Sequence, residues 1–219
     1  MRGKLIVIEG TDGCGKETQS KLLEKYLVET MGINVIRCSF PQYDNKSAGP
    51  VELYLNGELG SINDMTYLQI SSLYAIDRLC TVISQKWNEL LENGTWIICD
   101  RYVESNIIYQ TSKNMDNKSD IIFDIKFLEY HMLKIPMPDM IFYLDLEDSV
   151  SQELIKNRNQ KTDIHEQNLE YMKKVHECGL MIALQEGWNV IDCNTCDRKS
   201  ILPKNEIHDK IVEKLKDNI

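Results

Sequence analysis

The sequence predicts an α/β fold, a five-stranded parallel sheet flanked by helices on both faces. Three observations carry this reading. Five short apolar runs recur along the 219 residues, amphipathic stretches separate them, and a glycine-rich turn ending in lysine joins the first run to the first helix. Continuous apolar runs mark strands that are buried on both faces. Strands alternating with helices build crossover units and hence a parallel sheet. Such sheets bind ligands beyond the carboxyl ends of their strands.

Each element follows from local pattern. Residues 5–8 form the first strand, whose apolar run ends at Glu9, and residues 10–15 form a loop. Residues 18–31 form a helix with Leu22, Leu23, Tyr26 and Leu27 on one face and Gly32 as its stop. Residues 34–38 are the second strand, 41–50 a loop, and 65–93 one long helix closed by Asn93-Gly94. Residues 96–99 are the third strand and run into Asp100-Arg101; helices follow near 103–112 and 120–134. The fourth strand, 139–144, comes after Pro136 and Pro138. A helix over 148–157, a polar stretch over 157–163 and a long helix over 165–186 precede the fifth strand, 188–191. Ile207, Ile211, Val212 and Leu215 give the last helix its apolar face. No repeat or linker divides the chain, so one domain is expected over residues 1–219.

Composition narrows the function classes. The formal net charge of −9 argues against a broad face for a nucleic-acid polymer. It leaves room for a small anion, provided a few cations are focused in one cleft. The first apolar run is too short for a signal-peptide core, and no stretch approaches a membrane span, so a cytoplasmic protein is expected. The seven cysteines are odd in number and scattered, as reduced thiols are. Cys193 and Cys196 form one CxxC, which without a second pair is a weak zinc signal.

Gly10-Thr11-Asp12-Gly13-Cys14-Gly15-Lys16 fits GxxxxGK between a strand and a helix. Its glycines let backbone N–H groups turn around phosphate oxygens, and Lys16 reaches the outer phosphates. The pattern then departs from its usual form. A Ser or Thr normally follows the lysine as a Mg²⁺ ligand, but here Glu17 stands there, followed by Thr18. Two readings of Glu17 are open: a solvent-facing acid in the first helical turn, or a metal ligand, direct or through water. Asn117-Lys118-Ser119-Asp120 matches the NKxD guanine signature but follows a polar stretch, not an apolar strand. It reads as a loop in which Ser119 or Asp120 caps the next helix.

Several segments together resemble the thymidylate kinase family. The segment Ile8-Glu9-Gly10-Thr11-Asp12-Gly13 with Gly15-Lys16-Glu17-Thr18-Gln19 looks like its phosphate loop. Asp100-Arg101-Tyr102, then Ser105, Tyr109 and Gln110, resembles its DRYxxSxxAYQ segment, with Ile108 in place of the alanine. Leu73-Tyr74-Ala75-Ile76-Asp77-Arg78, Phe40-Pro41, Pro138-Asp139 and Tyr143-Leu144-Asp145 fit as well. The resemblance spans nearly the whole chain.

It implies a P-loop kinase fold with a short lid over residues 157–163, and transfer of the γ-phosphoryl of ATP to dTMP with Mg²⁺. Residues 10–18 would hold ATP, with Lys16 on its outer phosphates. Arg101 would clamp the dTMP phosphate. Asp100 would order Mg²⁺-bound water or the arginine. Asp12 would accept from the sugar 3′-hydroxyl or lie near the transferred group. Tyr74 stands where the family stacks an aromatic on thymine, and Arg78 shares its helical face and can reach a base carbonyl. Phe40, Pro41 and Tyr43 would line the base pocket, Asn106 would pair with the base edge, and Tyr109 would disfavour a ribose. Ser105 and Gln110 complete the acceptor set. The phosphate loop has no arginine, so Arg158 is the expected catalytic cation on the ATP side, with Lys156 or Lys161 as substitutes. Asp163 and Glu166 resemble acids that position that arginine. Cys193, Asn194 and Thr195 stand where adenine packs by analogy. The family also implies a homodimer. Another nucleoside monophosphate kinase and an inactive nucleotide-binding regulator are the competing readings.

Overall fold

The computed structural model describes residues 2–61, 63–156 and 168–218. Strands β1 (Leu5–Gly10), β2 (Val35–Ser39), β3 (Trp96–Asp100), β4 (Met140–Asp145) and β5 (Asn189–Asp192) form one sheet, ordered β2-β3-β1-β4-β5. Every adjacent pair is parallel. The helices are α1 (Lys16–Glu29), α2 (Gly49–Leu55), α3 (Tyr67–Ser84), α4 (Trp87–Glu92), α5 (Val103–Thr111), α6 (Lys118–Lys126), α7 (Asp148–Lys156), α8 (Leu169–Gln185) and α9 (Lys204–Lys216). The five-stranded parallel sheet expected from the apolar runs is present.

β1 is central and buried along its whole length. Its side chains alternate between two cores. Leu5 and Val7 pack with Trp87, Ile107, Ile125 and Ile182, which come from α4, α5, α6 and α8. Ile6 and Ile8 pack with Leu23 and Leu27 of α1 and with Ile207 and Ile211 of α9. The same alternation turns Glu9 toward the α5 side, where the candidate site lies.

The expected helix over 65–93 is two helices. Lys86 takes the left-handed conformation, with φ of 54°, and separates α3 from α4. The cause is a change of phase in the apolar pattern. α3 buries Ile70, Ser71, Ala75, Asp77, Arg78, Thr81 and Val82. Continued at 100° per residue, that face would next carry Gln85, Glu89 and Glu92. The break instead turns Trp87 and Leu91 into the core. At its start, α3 carries a reciprocal cap: Thr66 Oγ1 accepts from the Gln69 N–H, and Gln69 Oε1 accepts from the Thr66 N–H.

Other boundaries also differ. α1 begins at Lys16, not residue 18. α2 was not expected; its Val51, Tyr54 and Leu55 are buried and form a small core with Ile70, after Pro50 in the first turn. α6 starts at Lys118, so Ser119 and Asp120 lie within its first turn and neither caps it. The helix expected over 120–134 runs as α6 followed by a π-helical turn, Phe127–Met132. Residues 157–163, with Lys161 and the candidate Arg158, lie outside the described residues, as do Asp163 and Glu166.

Candidate active site

The site is built at the carboxyl ends of β1 and β3. β1 runs into the phosphate loop, where Gly13 and Gly15 have φ of 84° and 94°. A Cβ at Gly13 would lie 2.7 Å from the carbonyl oxygen of Ser151, so the loop also packs too closely for another residue. Ser151 Oγ donates to the Asp12 carbonyl and ties the loop to α7. No side chain caps α1, so its first N–H groups face the loop as anion donors. Lys16 Nζ donates to the Thr11 carbonyl at 2.7 Å. Glu17 points to solvent and pairs with Lys21 at 2.6 Å, which fits the first of its two readings. Thr18 is exposed, while Cys14 is fully buried. Gly10, whose added Cβ would meet the Leu144 carbonyl at 2.7 Å, closes the strand against β4.

β3 ends at Asp100, and Arg101 follows with φ of 66°. That left-handed turn is costly for a residue with a side chain. It swings the guanidinium back over the phosphate loop. Arg101 Nη2 donates to Asp12 Oδ1 at 2.5 Å and Nη1 to Ser105 Oγ at 3.1 Å. Tyr109 donates to Asp12 Oδ2 at 2.9 Å, and its ring lies under the guanidinium. Burial would raise the Asp12 carboxyl, but Arg101 and Lys16 hold it well below the usual carboxylate range. Asp100 is buried beside the same cations; burial outweighs the pull of Lys16 and Arg101 and raises its carboxyl above its ordinary value.

All eleven candidate acceptor residues meet in one cavity: Asp12, Phe40, Pro41, Tyr43, Tyr74, Arg78, Arg101, Ser105, Asn106, Tyr109 and Gln110 line it, joined by Leu55 and Tyr102. Phe40 is also a core residue, packed on Trp87 and Tyr102, whereas Tyr43 is 56% exposed at the rim. Tyr74 sits edge-on to Tyr54 of α2. Arg78 is engaged from behind: its Nε and Nη2 donate to Glu129 at 2.6 Å each, and Nη1 donates to the Tyr102 carbonyl at 3.3 Å. The side-chain carbonyl oxygens of Asn106 and Gln110 are buried with no partner among the described residues.

Opposite the phosphate loop, β4 and α7 meet α8 and the turn after β5. His176 of α8 bonds Asp145 at 2.7 Å and Asp148 at 3.2 Å. Burial alone would lower its pKa; the two carboxylates more than offset that and raise it to about 9. Asn194 accepts from the Glu147 N–H and donates to the Asp145 carbonyl, joining the β5 turn to the start of α7. Cys193 is buried and Cys196 exposed; among the described residues no three His, Cys, Asp or Glu side chains cluster as a metal site.

A family model described as thymidylate kinase matches residues 8–202. The chain belongs to the thymidylate kinase family. A thymidylate kinase of Prochlorococcus marinus (strain AS9601) is 30% identical over 200 residues, covering 89% of this chain and 90% of that one. A thymidylate kinase of Plasmodium falciparum (isolate 3D7) is 30% identical over 217 residues, covering 98% and 90%. The fold matches the solved thymidylate kinase of Candida albicans with a TM-score of 0.74, at 24% identity over 99% of this chain and 92% of the other.

Three carboxylates that shape this candidate site were not among the expected residues. Glu9 is fully buried, accepts from Ser105 Oγ at 2.8 Å and from the Tyr102 N–H at 3.1 Å, and so holds the Asp100-Arg101-Tyr102 turn. Asp77 accepts from the Gln42 N–H and from Ser47 Oγ, pinning the loop that carries Tyr43. Glu129 holds Arg78. For Glu9 a signal existed: a lone acid at the end of a fully apolar strand must find donors.

Proposed function

We propose that this chain transfers the γ-phosphoryl of ATP to dTMP, giving ADP and dTDP. The observation that carries this is the Arg101–Asp12 pair, which stands where the phosphate loop meets the acceptor cavity. Phosphoryl transfer asks a protein for positioning and charge neutralisation rather than covalent chemistry. The phosphate loop and Lys16 hold ATP. Arg101 presents a planar fork to the dTMP phosphate, and Asp12 and Tyr109 fix that fork and border the sugar. Tyr74 supplies a ring for the base, Arg78 a donor to a base carbonyl, and Asn106 an acceptor for the base N–H. Ser105 acts through Arg101 and Glu9. Arg158, outside the described residues, is the cation assigned to the ATP side.

Mg²⁺, when bound with ATP, would supply charge neutralisation on the transferring phosphates. Asp100, a buried acid at the carboxyl end of β3 beside Lys16, is the residue present that would hold the ion, directly or through water. Glu17 is held by Lys21 on the solvent side.

The active form is proposed to be a homodimer in the cytoplasm. Ile76 and Ile83 of α3 and Phe123 and Phe127 at α6 and the turn after it are exposed on neighbouring elements, and Phe123 stacks on Phe127. An apolar face of this kind suits a second copy of the chain. Among the described residues no helix is long and apolar enough to cross a membrane. Ile83→Glu is expected to yield a monomer by light scattering; an unchanged wild-type dimer would move the interface elsewhere.

A coupled ADP-release assay across nucleoside monophosphates tests the function. Mg²⁺-dependent turnover with dTMP as preferred acceptor is expected. Preference for another monophosphate would reassign the substrate, and nucleotide binding without turnover would indicate a regulator.

A further inference from the structure

Glu129 is fully buried behind the acceptor cavity, on the π-helical turn after α6. Such turns add a residue to the helical phase and recur at functional sites. Its two oxygens are shared between two residues that line the cavity. Oε2 accepts from Arg78 Nε at 2.6 Å, and Oε1 accepts from Arg78 Nη2 at 2.6 Å and from Asn106 Nδ2 at 3.1 Å. Asn106 Nδ2 also donates to the Ser71 carbonyl at 3.3 Å.

A carboxylate only accepts. Both neighbours of the Asn106 amide nitrogen are acceptors, so the amide has one satisfied orientation: NH₂ toward Glu129 and Ser71, and Oδ1 left over. That Oδ1 is buried and unpartnered among the described residues. Arg78 is a donor only, and three of its N–H groups are occupied, which leaves one N–H on each terminal nitrogen. The wall therefore offers a fixed donor beside a fixed acceptor.

We propose that Glu129 is a positioning residue that sets the base preference of the acceptor site, by holding Arg78 as donor and the Asn106 amide as acceptor. This rests on the dTMP reading above. A thymine or uracil ring presents a carbonyl at C4 and an N–H at N3, the complement of that wall. Cytosine presents an amino group at C4 and a bare N3, and meets donor with donor and acceptor with acceptor. Sites built on buried hydrogen bonds reject a mismatched ligand strongly, because its partners are left unpaired. Without an acceptor-only group at 129, the Asn106 amide can turn over and the rejection weakens.

The test is steady-state kinetics with dTMP and dCMP at saturating ATP, in the wild type, Glu129→Gln and Glu129→Asp, with folding checked by thermal unfolding. The wild type should prefer dTMP by more than about 10³-fold in kcat/KM. Glu129→Gln can donate to the Asn106 oxygen, so the preference should fall at least about tenfold while the KM for ATP moves less than about threefold. Glu129→Asp keeps an acceptor-only group one methylene back. It should raise the KM for dTMP at least about fivefold and keep the preference over dCMP, with kcat and the KM for ATP within about twofold. An unchanged preference in Glu129→Gln, or an equal loss of preference in both variants, would overturn the proposal. Should Glu129→Gln not fold, Glu129→Asp decides, and an unchanged KM for dTMP or a lost preference over dCMP would overturn it. A wild type that ignores dTMP brings down the acceptor reading itself, which is a separate outcome.

Discussion

Arg101 and Asp12 lie 2.5 Å apart across the gap between β3 and the phosphate loop, with side chains 16% and 24% exposed. The pair stands between the two substrates of the proposed reaction. An arginine held on one side by a carboxylate keeps its other N–H groups aimed at a phosphate. Arg101→Ala should lower kcat/KM for dTMP by about 10²- to 10³-fold. ATP affinity, measured by calorimetry with a non-hydrolysable analogue, should stay within about threefold, because the phosphate loop keeps its own glycines and Lys16. Equal losses for both nucleotides would mean that Arg101 supports the loop rather than the acceptor.

Tyr109 makes two separable contributions. Its hydroxyl donates to Asp12, and its ring lies under Arg101 at the end of the cavity proposed to take the sugar. The ring is the part proposed to exclude a ribose. Tyr109→Ala should raise the kcat/KM ratio of UMP to dUMP at least about tenfold, whereas Tyr109→Phe keeps the ring and should leave that ratio within about twofold. If both variants admit UMP alike, the hydroxyl is the discriminating group.

The sheet was legible because it is written in local pattern. β1, β3 and β4 are buried on both faces, so their sequences are apolar until the acid near each carboxyl end, Glu9, Asp100 and Asp145. The cavity residues were legible through the family resemblance. What escaped was whatever depends on tertiary context. Helices α3 and α4 share one unbroken helical composition, and only the phase shift at Gln85-Lys86 separates them. α2 is seven residues long, too short for a clear period. Glu129 and Asp77 look like ordinary helix-surface acids until the fold brings Arg78 and the 42–47 backbone to them.

Glu17 occupies the position where a hydroxyl ligand normally stands. Its side chain is 68% exposed and paired with Lys21 one turn along α1. A solvent-facing pair of this kind contributes little to stability. Glu17→Ser should therefore leave thermal stability nearly unchanged. Unless the new hydroxyl reaches the metal, the Mg²⁺ concentration for half-maximal activity should shift less than about twofold. Glu17→Ala separates the cases, since it adds no ligand; a clear rise in that concentration for Glu17→Ala would make Glu17 a metal ligand after all.

His176 links the two helices that flank residues 157–167, through Asp145 at the end of β4 and Asp148 at the start of α7. Arg198 also approaches Asp145, at 3.6 Å. The imidazole pKa is raised from 6.5 to about 9 in the folded protein. Below pH 6.5 the ring is charged in both the folded and unfolded chain, and the paired carboxylates contribute fully. Between these pH values only the folded chain keeps the proton, so the contribution declines as pH rises. Above about 9 the ring is neutral in both states and the contribution is gone. At pH 6 the wild type should exceed His176→Asn by about 2–3 kcal/mol, or roughly 5–10 °C in Tm, and the gap should close by pH 9.5. Melting both proteins across this range checks it, and a gap independent of pH would mean that His176 acts through packing rather than charge.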